Sequence, residues 1–258
     1  MMPEVIIIEN WIVFPAGIVI STIVSSMGIG GGILWMPFFL IALHLEPEVA
    51  VLTSLLIQIT GKGSGSFAYL KQKAVDLKLA FFLLMVALPG IATGAYIANT
   101  IKPAHMELIL GVLIMITAFL FVSSNQKYAD KGVTRTKIKD IYPYSWFVVL
   151  LSIGSGMLST GIGEWMIPVM RNKLSLRMNN AIATCIFITF GICLIGALIH
   201  FAMGGKADLS IVFWGVPGVM IGGQIGPRIT KRINERLLKE MFIFLLTLIG
   251  VHLIYNAY

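Results

Sequence analysis

The sequence predicts an all-α polytopic membrane protein made of two inverted repeats, each a re-entrant or broken helical hairpin plus three transmembrane helices. Three observations carry this. The 258 residues are 57% hydrophobic and only 12% charged, with a mean hydropathy of +0.90; a soluble domain holds about a quarter charged residues. Motifs of the first half recur in order in the second. The basic residues, finally, sort to one side of the membrane only if one apolar segment in each half turns back before crossing. At about 20 residues per crossing, little chain is left for a soluble domain, and disorder would need low hydrophobicity.

In chain order, the apolar segments run over 12–43, 49–70, 77–99, 106–122, 144–170, 178–202, 209–227 and 238–257. The polar stretch 124–142, with Lys127, Asp130, Lys131, Arg135, Lys137, Lys139 and Asp140, reads as a linker. It sets the expected division: 1–123 the first repeat, 143–258 the second. Gly28-Ile29-Gly30 recurs as Gly161-Ile162-Gly163, and Met36-Pro37 as Ile167-Pro168. Ala50–Thr53 recurs as Ala181–Thr184, and Pro89-Gly90 with Gly94 as Pro217-Gly218 with Gly222. Internal repeats of this kind are a signature of secondary transporters.

If every segment crossed once, the Lys and Arg residues outside the spans would divide evenly between the two faces. If 144–170 enters and returns, all of them except Lys102 and Lys206 face the cytoplasm, as the positive-inside rule prefers. Length agrees, since Glu164–Met170 makes only about 10 Å of helix against a hydrocarbon core of roughly 30 Å. By the repeat, 12–43 turns back around Gly28–Gly32. Three full spans per half is an odd number, so the second half is inserted upside down. The linker is then cytoplasmic and both termini lie outside, in a cell (inner) membrane.

The net charge of +7 is explained by the cytoplasmic loops and calls for no nucleic acid. The two cysteines, Cys185 and Cys193, lie in one apolar segment and form neither a disulfide framework nor a zinc site. The start of the chain, Met1–Trp11, is acidic and a poor signal peptide, so it is expected to be retained. The four histidines show no metal spacing, His200 is expected near an interface, and no nucleotide or hydrolase motif occurs. No cofactor and no metal are expected.

The glycine run Gly28, Gly30, Gly31, Gly32 breaks a helix. Non-helical backbone at membrane depth survives only when buried in protein or lining a wet cavity. The helix restarting at Ile33 would offer unpaired N–H groups and a positive dipole end to an anion, with Ser25 and Ser26 as further donors. The alternative is that the glycines serve tight packing alone. Glu164 is the only carboxylate well inside an apolar segment, where an ionised group costs about 2.5–3.5 kcal/mol on insertion scales. It reads either as a proton-coupling group or as a static partner for a cation or a helix start. Lys62, flanked by Gly61 and Gly63, reads as an anion attractor, a partner of Glu164 or a snorkelling lysine. Ser54 and Gln58 share a helix face, with Thr53 beside them. Thr184 and Thr189 are their counterparts beyond the second tip, Gly161–Gly163. Gln224 and Tyr96 are weaker polar candidates.

The run GIGGGILWMP at 28–37, the A-x-x-T-S of Ala50–Ser54, Tyr69–Lys73, Val75-Asp76 and the PGxxxGA of Pro89–Ala95, with their second-half partners, resemble the sulfite exporter TauE/SafE family of membrane anion transporters. The resemblance covers nearly the whole chain. One departure is Gly-Ile-Gly-Glu-Trp at 161–165, where a more symmetric member would repeat the glycine run. The resemblance implies a carrier of sulfite, thiosulfate, sulfonates or small organic acids, an exporter rather than an enzyme. The site is expected at mid-membrane between the two hairpin tips, held by Ser25, Ser26, Gly28, Gly30, Gly31, Gly32, Thr53, Ser54, Gln58, Lys62, Gly161, Gly163, Thr184 and Thr189, with Glu164 coupling a proton. Two other classes stand beside it: an intramembrane enzyme using Glu164, and a non-transporting membrane assembly subunit.

Overall fold

The computed structural model describes residues 10–123, 132–229 and 235–256. The expectations for 1–9, for 124–131 of the linker and for Lys231 and Arg232 lie outside the described residues. Among the described residues the chain is built of helices. The first half holds α1 (Val13–Met27), α2 (Gly32–Pro37), α3 (Pro47–Lys71), α4 (Leu77–Ala98) and α5 (Pro103–Ser123). The second holds α6 (Ser145–Leu158), α7 (Gly163–Asn172), α8 (Met178–Ala202), α9 (Leu209–Ile229) and α10 (Glu235–Asn256).

Local chemistry sets the breaks. Gly28 ends α1 with φ of +74°, a left-handed conformation that glycine adopts without penalty. Pro37 ends the α-helical part of α2, and a single π turn, Phe38–Ala42, carries the chain on; proline removes the N–H that an α-helical bond needs there. Asp76 and Asp208 cap the starts of α4 and α9, their Oδ1 atoms accepting from Leu79 N at 3.3 Å and Ile211 N at 3.1 Å.

Helix pairing follows one rule. The first helix of each half packs against the fourth helix of the other: α1 on α9, and α6 on α4. The third helices, α3 and α8, pack on one another, as do the fifth, α5 and α10. Small residues permit the close pairs, as expected inside a membrane where apolar burial gives no net drive. A Cβ on Gly222 would meet Ile18 O, Ser21 Cβ and Thr22 N; one on Gly90 would meet Val149 O, Ser152 Cβ and Ile153 N. Those two neighbour sets match with a shift of 131 residues.

The matching neighbours correct the register read from the motifs, the paired glycines of α4 and α9 themselves lying 132 residues apart. Gly90 corresponds to Gly222 rather than Gly218, and Gly94 to Gly226, whose Cβ would meet Thr22 O and Ser26 N as that of Gly94 meets Ile153 O and Met157 N. The Pro-Gly match was one helical turn out. The Gly-Ile-Gly match was also out, by two residues: Gly28 and Ser159 are the left-handed residues that end α1 and α6, which places Gly30 opposite Gly161 and Ile33 at the position of Glu164.

The polar segments collect at two ends. At one end Gln72 Nε2 donates to Pro227 O, Thr136 N donates to Asp76 Oδ2 at 2.8 Å, and Val133 pairs with Ser175 and Arg177 through backbone bonds. At the other, Asn10 meets Ser210, Asp208 N donates to Thr53 Oγ1, and Asn99 reaches Met203. The basic loop 71–78, the described part of the linker, Arg171–Arg177 and Arg228 thus share one end.

Among the described residues, five stretches are long and apolar enough to cross a membrane by length and composition: Leu77–Ala98, Pro103–Leu120, Ile138–Leu158, Met178–Ala202 and Leu209–Ile229. Ile138–Leu158 joins α6 to a short helix, Ile138–Ile141, and a 3-10 turn, Tyr142–Tyr144, where the sequence predicts linker as far as 142. Its leading residues, Lys139 and Asp140, are exposed. α3 has 25 residues but is too polar to count; hydrogen bonds at both ends of the bundle show that it runs the whole way. Val13–Met27 and Gly32–Ala42 are shorter apolar helices.

Candidate functional site

The two turns cross each other as antiparallel strands of backbone. A Cβ on Gly30 would overlap Gly161 N, and one on Gly161 would overlap Gly30 Cα. A Cβ on Gly32 would overlap Ser159 O, and one on Gly163 would overlap Gly28 O. Each contact is the counterpart of another under the 131-residue shift. Glycine is required here because no side chain fits between two backbones in contact. With the turns closed on one another, no ligand fits between them at Gly30–Gly161.

α3 supplies the polar groups around this crossing. Gln58, 2% exposed, donates from Nε2 to Ser54 Oγ at 3.0 Å, Ser159 O at 3.0 Å and Ser159 Oγ at 2.7 Å. Ser159 Oγ in turn donates to Ser54 Oγ at 2.9 Å. Gln58 Oε1 has no partner and lies 2.5 Å from the place of a Cβ on Gly31. One amide therefore ties the second turn to α3 while its oxygen faces the first. Ser159, with φ of +58°, was not singled out in the sequence; the signal was its place where the first half has Gly28.

One helical turn further on, Lys62 is 2% exposed and donates to Ile29 O at 2.5 Å. It does not snorkel. Its flanking glycines admit neighbours, Gly61 against Val219 and Gly63 against the ring of Phe190. Glu164, 5% exposed, stands in the first turn of α7, where the helix dipole favours a negative charge. Its Oε1 lies 2.8 Å from the place of a Cβ on Gly30. The groups facing the carboxylate are its own N–H, that of Gly30, the Lys62 ammonium and the Cys185 thiol. They interact with it electrostatically, yet neither oxygen completes a hydrogen bond, and among the described residues Lys62 and Glu164 form no direct ion pair.

The remaining predicted residues divide. Ser25 Oγ and Thr189 Oγ1 are buried without partners, Ser25 Oγ lying 3.3 Å from the place of a Cβ on Gly65. Ser26 Oγ is turned back to Ile23 O at 2.8 Å. Thr53 and Thr184 adjoin residues that touch the turns, Ser54 and Cys185, but their hydroxyls are taken by loop N–H groups: Asp208 N donates to Thr53 Oγ1 at 2.9 Å, and Asp76 N to Thr184 Oγ1 at 3.0 Å. Tyr96 is exposed on the outside of α4, and Gln224 donates to Ser64 O at 2.8 Å. His200, in the last turn of α8, is buried: its Nε2 donates to Gly156 O at 2.8 Å, as Tyr69 Oη donates to Ser25 O at 2.9 Å. Those two bonds are again counterparts, each holding the last turn of a hairpin's first helix.

The family model described as "Sulfite exporter TauE/SafE" matches residues 13–253. The chain is 29% identical to the "Probable membrane transporter protein YunE" of Bacillus subtilis, over 93% of this chain and 96% of that protein. It is 24% identical to a "Probable membrane transporter protein" of Haemophilus influenzae, over 95% of this chain and 94% of that protein. With MamO of Magnetospirillum gryphiswaldense it shares 23% identity over 89% of this chain but only 42% of that longer protein. No solved structure matches. The chain is an integral membrane protein of transporter type and belongs to the sulfite exporter TauE/SafE family.

Proposed function

We propose that the chain is a secondary transporter that exports a small anion, such as sulfite, thiosulfate, a sulfonate or a small carboxylate. The observation that carries this is the crossing of two glycine turns beside a buried lysine. Parting the turns frees the N–H groups of Gly30–Gly32 and brings them, Lys62 and Gln58 to one small anion. Glycine backbone and one ammonium suit an oxoanion, which needs donors on several sides and little side-chain bulk.

The pairing of α1 with α9 and of α6 with α4 supports a two-fold relation between halves 1–123 and 143–258. With the basic loops gathered at one end, that end is cytoplasmic, the repeats are inverted and both termini lie outside a cell (inner) membrane. Alternating access then comes from one half taking the conformation of the other as the turns part. Glu164 is the group in this reading that exchanges a proton.

The test is uptake into proteoliposomes of labelled sulfite, thiosulfate, methanesulfonate and acetate. Saturable uptake of at least one, above empty vesicles, is expected; uptake of none sinks the reading. Single cysteines at 132–137 and at 173–176, labelled from outside cells with an impermeant thiol reagent, should both stay unreactive until the membrane is opened.

A further inference from the structure

We propose that Glu164 is a tethered anion holding the substrate's place, so that the transported anion and the ionised carboxylate exclude one another from the groups around Gly30 and Lys62. This rests on the transport reading above and names the condition under which its site binds.

Three features of position support it. The carboxylate sits in the first turn of a ten-residue helix, places Oε1 2.8 Å from where a Cβ on Gly30 of the opposite turn would stand, and faces Lys62 of α3, with the Cys185 thiol of α8 the other titratable group beside it. The N–H groups of the two turns and Lys62 are the donors that a small oxoanion would use. Both carboxylate oxygens are nevertheless buried without a completed hydrogen bond, so the chain's own anion occupies the spot without saturating it. The equivalent position of the first half is Ile33, so the fold does not require a carboxylate here.

Charge then fixes the rule of occupancy. Lys62 and an ionised Glu164 sum to zero. A second anion entering beside both would leave a net negative charge among buried apolar residues, where Coulomb repulsion is weakly screened. Binding of a monoanion therefore requires Glu164 to take a proton. The proton and the anion occupy the site together and leave together, so one monoanion moves with one proton and no net charge crosses. Export then follows the combined gradient of anion and proton and ignores the membrane potential. The ligand class is a monoanion of about carboxylate size with its charge shared over two or three oxygens on one centre.

The test uses the purified full chain in detergent. Methanesulfonate, which stays a monoanion across the working range, serves as one probe. Glu164→Gln should bind it at least about tenfold more tightly than the native chain at pH 8, with little dependence on pH. Native binding should strengthen as the pH falls. Formate, with chloride at equal ionic strength as control, serves as the other probe. Glu164→Ala should gain thermal stability with formate and not with chloride, because formate replaces the missing carboxylate; the native chain should gain far less. Equal methanesulfonate affinity in native and Glu164→Gln protein overturns the proposal while leaving the transport reading intact. No formate effect on Glu164→Ala overturns it even if no methanesulfonate binding is found; should that variant fail to fold, native protein and Glu164→Gln decide. Failure of the transport reading is seen separately, as absent flux in proteoliposomes.

Discussion

The two hairpin turns are the same structure with different chemistry. Both end their first helix on a left-handed residue, both lay three backbone units across the other turn, and both have that first helix held by a side chain from the third helix of their own half. Yet Gly28 has become Ser159 and Ile33 has become Glu164. α3 and α8 differ in the same way: Ser54, Gln58 and Lys62 of α3 correspond to Cys185, Thr189 and Cys193 of α8. Symmetry is kept where backbones touch and broken where charge is placed. A scaffold whose halves can exchange conformations needs the first property, and a single charge-balanced site needs the second.

The largest expected effect comes from breaking what the turns share. Gly30→Val and Gly161→Val each drive a side chain into facing backbone, which cannot yield as a side chain can. Both should abolish anion flux and lower stability by about 1–3 kcal/mol, to similar extents. Gly31→Ala should do much less, since its Cβ meets only the movable end of Gln58. Gly154→Ala, whose nearest neighbour would be at 3.7 Å, is the control and should transport normally. Flux beside thermal denaturation measures all four. A Gly30→Val protein with native flux would show that the turns never close on each other during transport.

This also marks how far the sequence could be read. The broken segments, the lone deep carboxylate and the lone deep lysine were legible because each violates what a lipid-facing helix tolerates. The register was not. Glycines recur every four residues along α9, at 218, 222 and 226, so a slip of one helical turn keeps the same face glycine-lined. Within the first turn, glycines at 28, 30 and 32 allow a slip of two residues at no cost to the pattern. Only the packed neighbours decide. The repeat singles out Thr53 and Thr184, but a motif match carries no information about what the hydroxyl touches, here a loop N–H in each case. Ser159 is legible only through the corrected register, which sets it where the first half has Gly28, because nothing in residue type announces a serine in left-handed conformation.

The next effect tests the broken symmetry. Lys62→Met leaves Glu164 buried without its nearest cation and should cost about 3 kcal/mol. Glu164→Gln alone should cost less, and the double variant should recover most of the loss, giving a coupling energy of about 1–3 kcal/mol in a double-mutant cycle. Additive losses would mean that the two charges act independently. In proteoliposomes Glu164→Gln should keep counterflow of labelled against unlabelled anion and lose accumulation driven by a pH gradient. Accumulation that survives in the variant would make Glu164 structural and put the coupling group elsewhere.

Gln58 and Thr189 sharpen the comparison between α3 and α8. Gln58→Leu removes the donor to Ser54 and Ser159 and leaves their oxygens buried, which should cost about 1–3 kcal/mol. Thr189 Oγ1 has no partner to lose, so Thr189→Val should be neutral or slightly stabilising. Chemical denaturation of the two variants side by side reads the difference. Equal effects would mean that the polar network on α3 contributes nothing beyond its counterpart.

The smallest effect is the most direct test of the shared scaffold. Asp208 N donates to Thr53 Oγ1 and Asp76 N to Thr184 Oγ1, each across the two halves and at opposite ends of the bundle. Valine keeps the shape of threonine and removes only the acceptor, so each substitution leaves one backbone N–H unpaired beside a helix start. Each should cost about 1 kcal/mol. If the halves are related as their packing indicates, the two costs should agree within experimental error. The sites share no partner, so the double variant should be additive within about 0.5 kcal/mol. Neither should alter anion selectivity, because neither hydroxyl lies at the crossing of the turns. A Thr53→Val protein that changes its preference among sulfite, methanesulfonate and acetate would place that residue in the site after all. Unequal costs would mean that one end of the bundle opens more readily than the other, and that the symmetry of the hydrogen bonds does not extend to their energies.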